Sequence, residues 1–376
     1  MACLRVLISG GGIAGATLAY WLAAGGHRVT IVESADRVRS SGSPVDVRGP
    51  AAATARAMGI WPRLAAAATG VERLVFVDPD GNRRAVIRTR RSSNPDDEVE
   101  IARVELATAL LDAVDDSAEI ITGDSVAVLA SDDAGVDARF SRGGEDRFDL
   151  AIGADGLHSA VRRLTFGAEQ RFSRPMGLFI GTVRTDAVDT DPREVILLNN
   201  PGTALAIHPA GGNPGAAFIF RSRPAYDHHD PHRATVLIED AYRDRGSLTE
   251  RALAAWHTAS DVYFDQVTRI TVPSWSTGRI ALVGDAASCV SVFGEGSSNA
   301  IVGARTLADA ICASPTDPAA AFAAYERTHR RRTARSGAGA PLLARFLVPT
   351  TSRGISIRNT AIRTLGRIVP AFDTRQ

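Results

Sequence analysis

Glycines at positions 10, 12 and 15 fit the spacing G-x-G-x-x-G, and a carboxylate, Glu33, follows 18 residues after the last of them. Residues of these types at this spacing can hold the pyrophosphate and one ribose of a dinucleotide. Gly10 allows a tight turn, Gly12 lets a pyrophosphate approach the backbone, and Gly15 lets a helix pack on a strand. Ile13 and Ala14 open that helix, whose first amides would face the phosphates. Glu33 can accept a hydrogen bond from a ribose hydroxyl, and its charge repels a 2′-phosphate, so the site suits FAD or NAD rather than NADP. This first site does not decide between FAD and NAD.

These residues need a strand, a turn, a helix and a second strand to position them. Residues 4–9 (LRVLIS) form a short apolar run suited to a buried parallel strand. Helix-forming residues 16–24 follow and are stopped by Gly25 and Gly26, and residues 28–32 (RVTIV) lead into Glu33. Two later runs also end on an aspartate: residues 147–154 (RFDLAIGA) before Asp155 and Gly156, and residues 280–283 before Asp285. Residues 74–87 read as a hairpin with Asp80-Gly81 at its turn, and the charged stretch 88–98 as a loop. Between residues 176 and 270, alternating runs (177–184, 194–198, 203–208, 216–221) are separated by NNPG and GGNPG turns, which predicts antiparallel sheet. Residues 296–312 return to helix, 316–331 continue it, and the arginine-rich remainder reads as a C-terminal helical segment.

Composition excludes several function classes. The 376 residues carry 43 basic and 42 acidic side chains, a balance that indicates neither a nucleic-acid nor an anionic-membrane partner. All 43 basic residues are arginine, so Schiff-base and P-loop chemistry are impossible. Three cysteines (Cys3, Cys289, Cys312) without a C-x-x-C argue for a reducing compartment and against a disulfide framework. The apolar start is cut by glycines, which fits strand, turn and helix rather than a signal peptide, and a cytoplasmic, soluble protein is expected. The run Asp227-His228-His229-Asp230-Pro231-His232 lacks helical metal-ligand spacing and reads as a polar surface loop, so no metal is expected. No G-x-S-x-G element supports hydrolysis.

Taken in order, three stretches resemble the FAD-dependent aromatic-hydroxylase family, the class A, single-component flavoprotein monooxygenases, over roughly the first 330 residues. They are GGGIAG at 10–15, GADGLHSAVR at 153–162 and GRIALVGDAA at 278–287. The resemblance implies that Asp155 and Gly156 lie near the FAD pyrophosphate and the route of NAD(P)H, and that Asp285 contacts the ribityl chain. Gly294, Gly296, Ser297, Ser298 and Asn299 resemble the loop and helix start that hold the flavin's pyrimidine edge. Arg103, in IARVEL, matches an arginine that meets the phosphate and ribityl region, and Arg48, in VDVRG, falls where relatives approach the mobile flavin ring. The stretch 288–293 departs from the family, because the prolines usual there are missing.

The fold implied is α/β: a Rossmann-like, glutathione-reductase-like FAD-binding domain with an inserted antiparallel-sheet substrate domain and a C-terminal helical segment. The expected FAD-binding segments are 1–73, 100–172 and 272–330, with a substrate-domain hairpin at 74–99, the substrate sheet at 173–271 and the helical segment at 331–376. The implied activity is insertion of one oxygen atom from O2 into an aromatic or polycyclic small molecule, by hydroxylation, epoxidation or Baeyer-Villiger oxidation. Non-covalent FAD is the expected cofactor, NADPH or NADH the transient co-substrate, and a monomer or homodimer the expected state. A flavin halogenase needs a lysine and is excluded. An FAD-dependent dehydrogenase or oxidase is the alternative, and a non-catalytic FAD-binding module the third reading.

Overall fold

The computed structural model describes residues 3–36, 44–88, 98–186, 190–210, 214–224, 226, 228, 230–290, 295–336 and 339–368. Its first layer is a six-stranded sheet in the spatial order Ser276–Thr277, Ile280–Leu282, Leu150–Gly153, Arg5–Ser9, Arg28–Glu33, Glu119–Thr122. All neighbours are parallel except the first pair. The central strands are apolar on both faces, with Leu7, Ile8, Ile31, Ile152 and Leu282 all buried, because helices cover the sheet. Helix Ile13–Ala24 packs against helix Gly296–Ala313, so the first and third sequence segments share one core.

One expected strand is really two. The run 147–154 divides at Asp149: Glu145–Phe148 pairs antiparallel with Val136–Phe140 in a separate three-stranded sheet, and only Leu150–Gly153 joins the parallel sheet. Asp149 accounts for the break, since its side chain accepts the Arg5 backbone N–H at 2.6 Å while its own N–H donates to the Arg5 carbonyl.

The second layer is an eight-stranded sheet, ordered Ser288–Val290, Val262–Thr271, Ser173–Arg184, Gly215–Arg221, Thr203–His208, Glu194–Asn200, Arg73–Val77, Arg83–Arg88. Its pairs are antiparallel apart from Glu194–Asn200 with Arg73–Val77, which run parallel. The hairpin at 73–88 is therefore part of this sheet. The NNPG turn forms with Gly202 at φ +80 and Asn200 opposite Thr203. Residues 211–213 of the second turn lie outside the described residues.

Two helices interrupt what the sequence pattern predicts as continuous sheet: Pro231–Tyr242, capped by the Asp230 carboxylate on the Arg233 N–H, and Ser247–Thr258. They cover one face, burying Phe218, Phe220, Tyr242 and Trp256. Part of the other face is covered by helices Ala340–Leu347 and Ser352–Ile368, which place Ala344, Val348 and Ile362 against Phe76, Leu178 and Leu197. The helix expected from residue 316 begins at Pro318 and runs to Ser336, with Asp317 accepting the Ala320 N–H at 3.0 Å.

Candidate active site

The first turn is built as its glycines require. Gly10 has φ +103, and a Cβ there would lie 2.6 Å from the Ala154 carbonyl oxygen. A Cβ on Gly15 would lie 1.9 Å from the Gly10 carbonyl oxygen. These two glycines let chain pack on chain. Gly12 differs: nothing lies within 4 Å of the place its Cβ would take. Helix Ile13–Ala24, which opens with Ile13 and Ala14, starts there with no side-chain cap, so its first amides face open space. A helix start without a side-chain cap, beside a backbone that no side chain crowds at Gly12, fits a phosphate. Glu33 stands next to it, one oxygen accepting the Gly11 N–H at 2.8 Å and the other the Ala35 N–H at 2.9 Å. The oxygen that accepts from Ala35 also accepts the Ser34 hydroxyl at 3.2 Å, while the one facing Gly11 keeps a lone pair for a ribose hydroxyl.

The second segment turns its acid inward. Asp155 accepts from the Ser159 hydroxyl, from the Val161 N–H at 3.0 Å and from the Ser9 hydroxyl at 3.4 Å. It ties the start of helix Ala160–Thr165 to the first strand, and Gly156, at φ +76, makes the turn between them. Burial raises the Asp155 pKa, and the bonds from Ser159 and Val161 oppose the rise. Arg162, fully buried, donates to the Ala286 carbonyl at 3.0 Å and the Leu157 carbonyl at 2.6 Å, which clamps the second segment to the third.

Asp285 lies in the turn after strand Ile280–Leu282. Gly284, at φ +65, approaches Ala14 so closely that its Cβ would lie 2.8 Å from that of Ala14. The third segment thus meets the first. Although Asp285 is half-buried by area, it sits deep in a cleft with Gly296 and Asn299, where burial raises its pKa while Arg103 and a hydrogen bond with Cys289 oppose the rise. Burial and the neighbouring Asp285 push the Cys289 thiol well above its ordinary pKa, so it stays protonated. Arg103, the first residue of helix Arg103–Val114, is itself exposed.

Helix Gly296–Ala313 also starts without a side-chain cap, and nothing lies within 4 Å of the Gly296 Cβ position. Ser297 is half-buried in its first turn. Ser298 donates to the Asp46 carbonyl at 2.9 Å and accepts the Arg48 N–H at 3.3 Å. The Arg48 side chain meets Glu295 at 2.6 Å, and the Asn299 side chain accepts from Arg332 at 2.9 Å. Gly294, together with residues 291–293, lies outside the described residues. Ser288–Val290, at the start of the stretch that departs from the family, is a strand pairing with Arg269–Thr271. It carries the third segment directly from the Asp285 turn into the eight-stranded sheet.

Sequence reading missed Glu295, the clamp role of Arg162, and a junction centred on His158. That histidine lies at a variable position of the second stretch. Its ring bonds Glu169 at 2.9 Å and, 107 residues further on, Asp265 at 2.8 Å, and it stacks on His228 at 3.8 Å. No local spacing announces such a pairing. Asp227 and His229 of the histidine-rich run lie outside the described residues. Among the described residues, no helix is long and apolar enough to cross a membrane.

Comparison with known proteins agrees with this geometry. A family model described as an FAD binding domain matches residues 4–336. A flavin-dependent monooxygenase of Legionella longbeachae is 32% identical over 331 residues, covering 86% of this chain and 84% of that protein. The crystal structure of tetracycline destructase Tet(51) superposes with a TM-score of 0.84 at 26% identity, covering 100% of this chain and 99% of that one. Klebsiella pneumoniae HpxO, complexed with FAD and uric acid, shares the fold, with a TM-score of 0.76 at 20% identity over 98% of this chain and 95% of its own.

Proposed function

This chain belongs to the FAD-binding-domain family and is a flavin-dependent monooxygenase, and we propose that it uses NAD(P)H and O2 to insert one oxygen atom into an aromatic or polycyclic small molecule. The observation that carries the reading is the continuity of strand Ser288–Val290, which joins the Asp285 turn to the eight-stranded sheet. A cofactor held at that turn would lie next in sequence to a strand of a large sheet on which an organic substrate could be held. The likeness to a tetracycline destructase over the whole chain supports a fused-ring substrate.

When bound, FAD supplies the redox chemistry and the activation of oxygen. The chain's own residues bind and orient. In this reading Gly10, Gly12 and Gly15, with Ile13 and Ala14, receive the pyrophosphate, and Glu33 accepts from the adenosine ribose. Asp285 and Arg103 hold the ribityl and phosphate region. The helix start at Gly296, Ser297, Ser298 and Asn299, together with Gly294, meets the flavin's pyrimidine edge, and Arg48, braced by Glu295, flanks it. Asp155 and Gly156 shape the pyrophosphate side, where NAD(P)H passes.

Isotopic oxygen gas tests the proposal. With 18O2 and NAD(P)H, the product should carry one labelled atom, and substrate should accelerate NAD(P)H oxidation. An unlabelled, desaturated product would instead assign a dehydrogenase or oxidase.

A further inference from the structure

We propose that a cavity beside the Asp285 turn is a binding site for buried water, and that Trp275 and His329 position the cofactor turn through that water. The inference rests on the placement of FAD at Asp285 given above and extends it to two residues outside the three motifs.

The cavity, of about 30 Å³, reaches from the candidate cofactor residues Asp285 and Asn299 to Trp275, Tyr325 and His329. Those last three are 1%, 1% and 3% exposed. Trp275 precedes strand Ser276–Thr277, and Tyr325 and His329 lie one turn apart on helix Pro318–Ser336. The Trp275 N–H donates to Glu326 at 2.9 Å, and its carbonyl accepts the Leu282 N–H at 2.8 Å. The Tyr325 hydroxyl donates to the Leu282 carbonyl at 3.2 Å. The strand that leads into the Asp285 turn is thus tied to both walls of the cavity.

Two polar atoms in these walls are left over. Trp275 Nε1 and His329 Nδ1 are buried and have no hydrogen-bond partner among the described residues. A buried polar atom without a partner is costly, so both call for a ligand in the cavity. Their chemistry limits what it is. An indole N–H only donates, so the ligand must accept. Burial, helped by Arg332, lowers the His329 pKa to about 4, so the imidazole is uncharged. Asp285 in the same wall disfavours an anion, and the Trp275 N–H disfavours a cation. Water both accepts and donates, and the space exceeds the roughly 10–15 Å³ that one water needs. The Trp275 and His329 ring centroids lie 6.0 Å apart, a gap that one water can bridge.

Asp285, lining the same cavity, offers that water a further acceptor. Its carboxylate already takes a hydrogen bond from the Cys289 thiol. Water as a second donor restricts the carboxylate further and holds it ready for a ribityl hydroxyl. Trp275 and His329 are positioning residues in this arrangement, because they act through water and Asp285.

The test uses the full chain labelled with 15N at tryptophan, with and without FAD. Four tryptophans give four indole signals, and Trp275 is assigned by the signal lost in Trp275→Phe. A rotating-frame Overhauser contact between that N–H and water, opposite in sign to proton exchange, is expected in both states. Trp275→Phe and His329→Leu should each weaken FAD binding by roughly three- to tenfold, the worth of one net hydrogen bond. His329→Asn, whose amide can take the place of Nδ1, should keep the contact and hold FAD more tightly than His329→Leu. If the cavity were a packing matter only, leucine would hold FAD at least as well as asparagine. That result, or an N–H of Trp275 without the water contact, overturns the proposal. Asp285→Ala binding FAD as tightly as the parent would overturn the cofactor placement while leaving the water contact intact, so the two failures are distinguishable.

Discussion

Three glycines of one sequence pattern divide their labour in space, and substitution separates them. Nothing lies within 4 Å of the place a Cβ would take at Gly12, so Gly12→Val should fold with the parent's far-UV spectrum and melting temperature as apoprotein, yet retain no FAD. At Gly15 the first added carbon already collides with the Gly10 carbonyl, so Gly15→Val should fail to fold stably, whether or not FAD is supplied. Asp285→Ala should keep the fold and weaken FAD by about 1–3 kcal/mol, the scale of one lost charge-assisted contact, measured by titrating FAD into apoprotein. The spacing of Gly10, Gly12 and Gly15 was legible in sequence because each steric need excludes every side chain but hydrogen. The division between phosphate approach at Gly12 and packing at Gly15 was legible too; the close approach of Ala154 to Gly10 was not, since it joins distant parts of the chain.

Elements formed by local patterning were readable, whereas those decided by distant partners were not. The first strand and helix announced themselves through apolar runs and glycine stops. The single strand expected at 147–154 failed because its division is imposed by Arg5, about 144 residues away, exchanging bonds with Asp149. The two helices at 231–258 escaped because their apolar faces meet Phe218 and Phe220 rather than repeating strongly in the sequence. The junction between second stretch and sheet is likewise non-local, and it carries a pH signature. Burial pulls the His158 pKa down, but hydrogen bonds to Asp265 and Glu169 outweigh it and raise it to about 9. Glu169, Asp265, Tyr263 and His228 are the titratable groups facing it. A folded pKa above the ordinary 6.5 means that the stabilisation is complete below pH 6.5 and is lost as pH rises through 9. Thermal denaturation between pH 6.5 and 10 should show a loss on the order of 1–3 kcal/mol, and His158→Gln should flatten that slope.

At the scale of the whole molecule, the C-terminal helices are joined to the sheet by a buried cation whose hydrogen-bond partners among the described residues are amide and carbonyl oxygens. Arg358 donates to Asn199 Oδ1 at 2.9 Å and to the Phe346 carbonyl at 3.0 Å, and its guanidinium lies 4.2 Å from the Phe76 ring centroid. Arg358→Ala would leave three acceptors without this donor, Asn199 Oδ1, Asn359 Oδ1 and the Phe346 carbonyl, and a void beside Phe76, at about 2–4 kcal/mol. The expected outcome is a lower melting temperature and faster proteolysis near residues 349–351, the link between the two helices. The parallel sheet has a different consequence, in time rather than in energy. Its central neighbours, Arg5–Ser9, Leu150–Gly153 and Ile280–Leu282, are far apart along the chain. A chain emerging from the ribosome must hold its first strand unpaired on one edge until residue 150 appears, and the Asp285 turn arrives later still. The cofactor therefore cannot template early folding, and the apolar strand VLIS keeps one edge unpaired until residues 150–153 are made. Chaperone demand and yield in a foreign host should follow translation speed across the second half of the message more closely than they follow flavin supply.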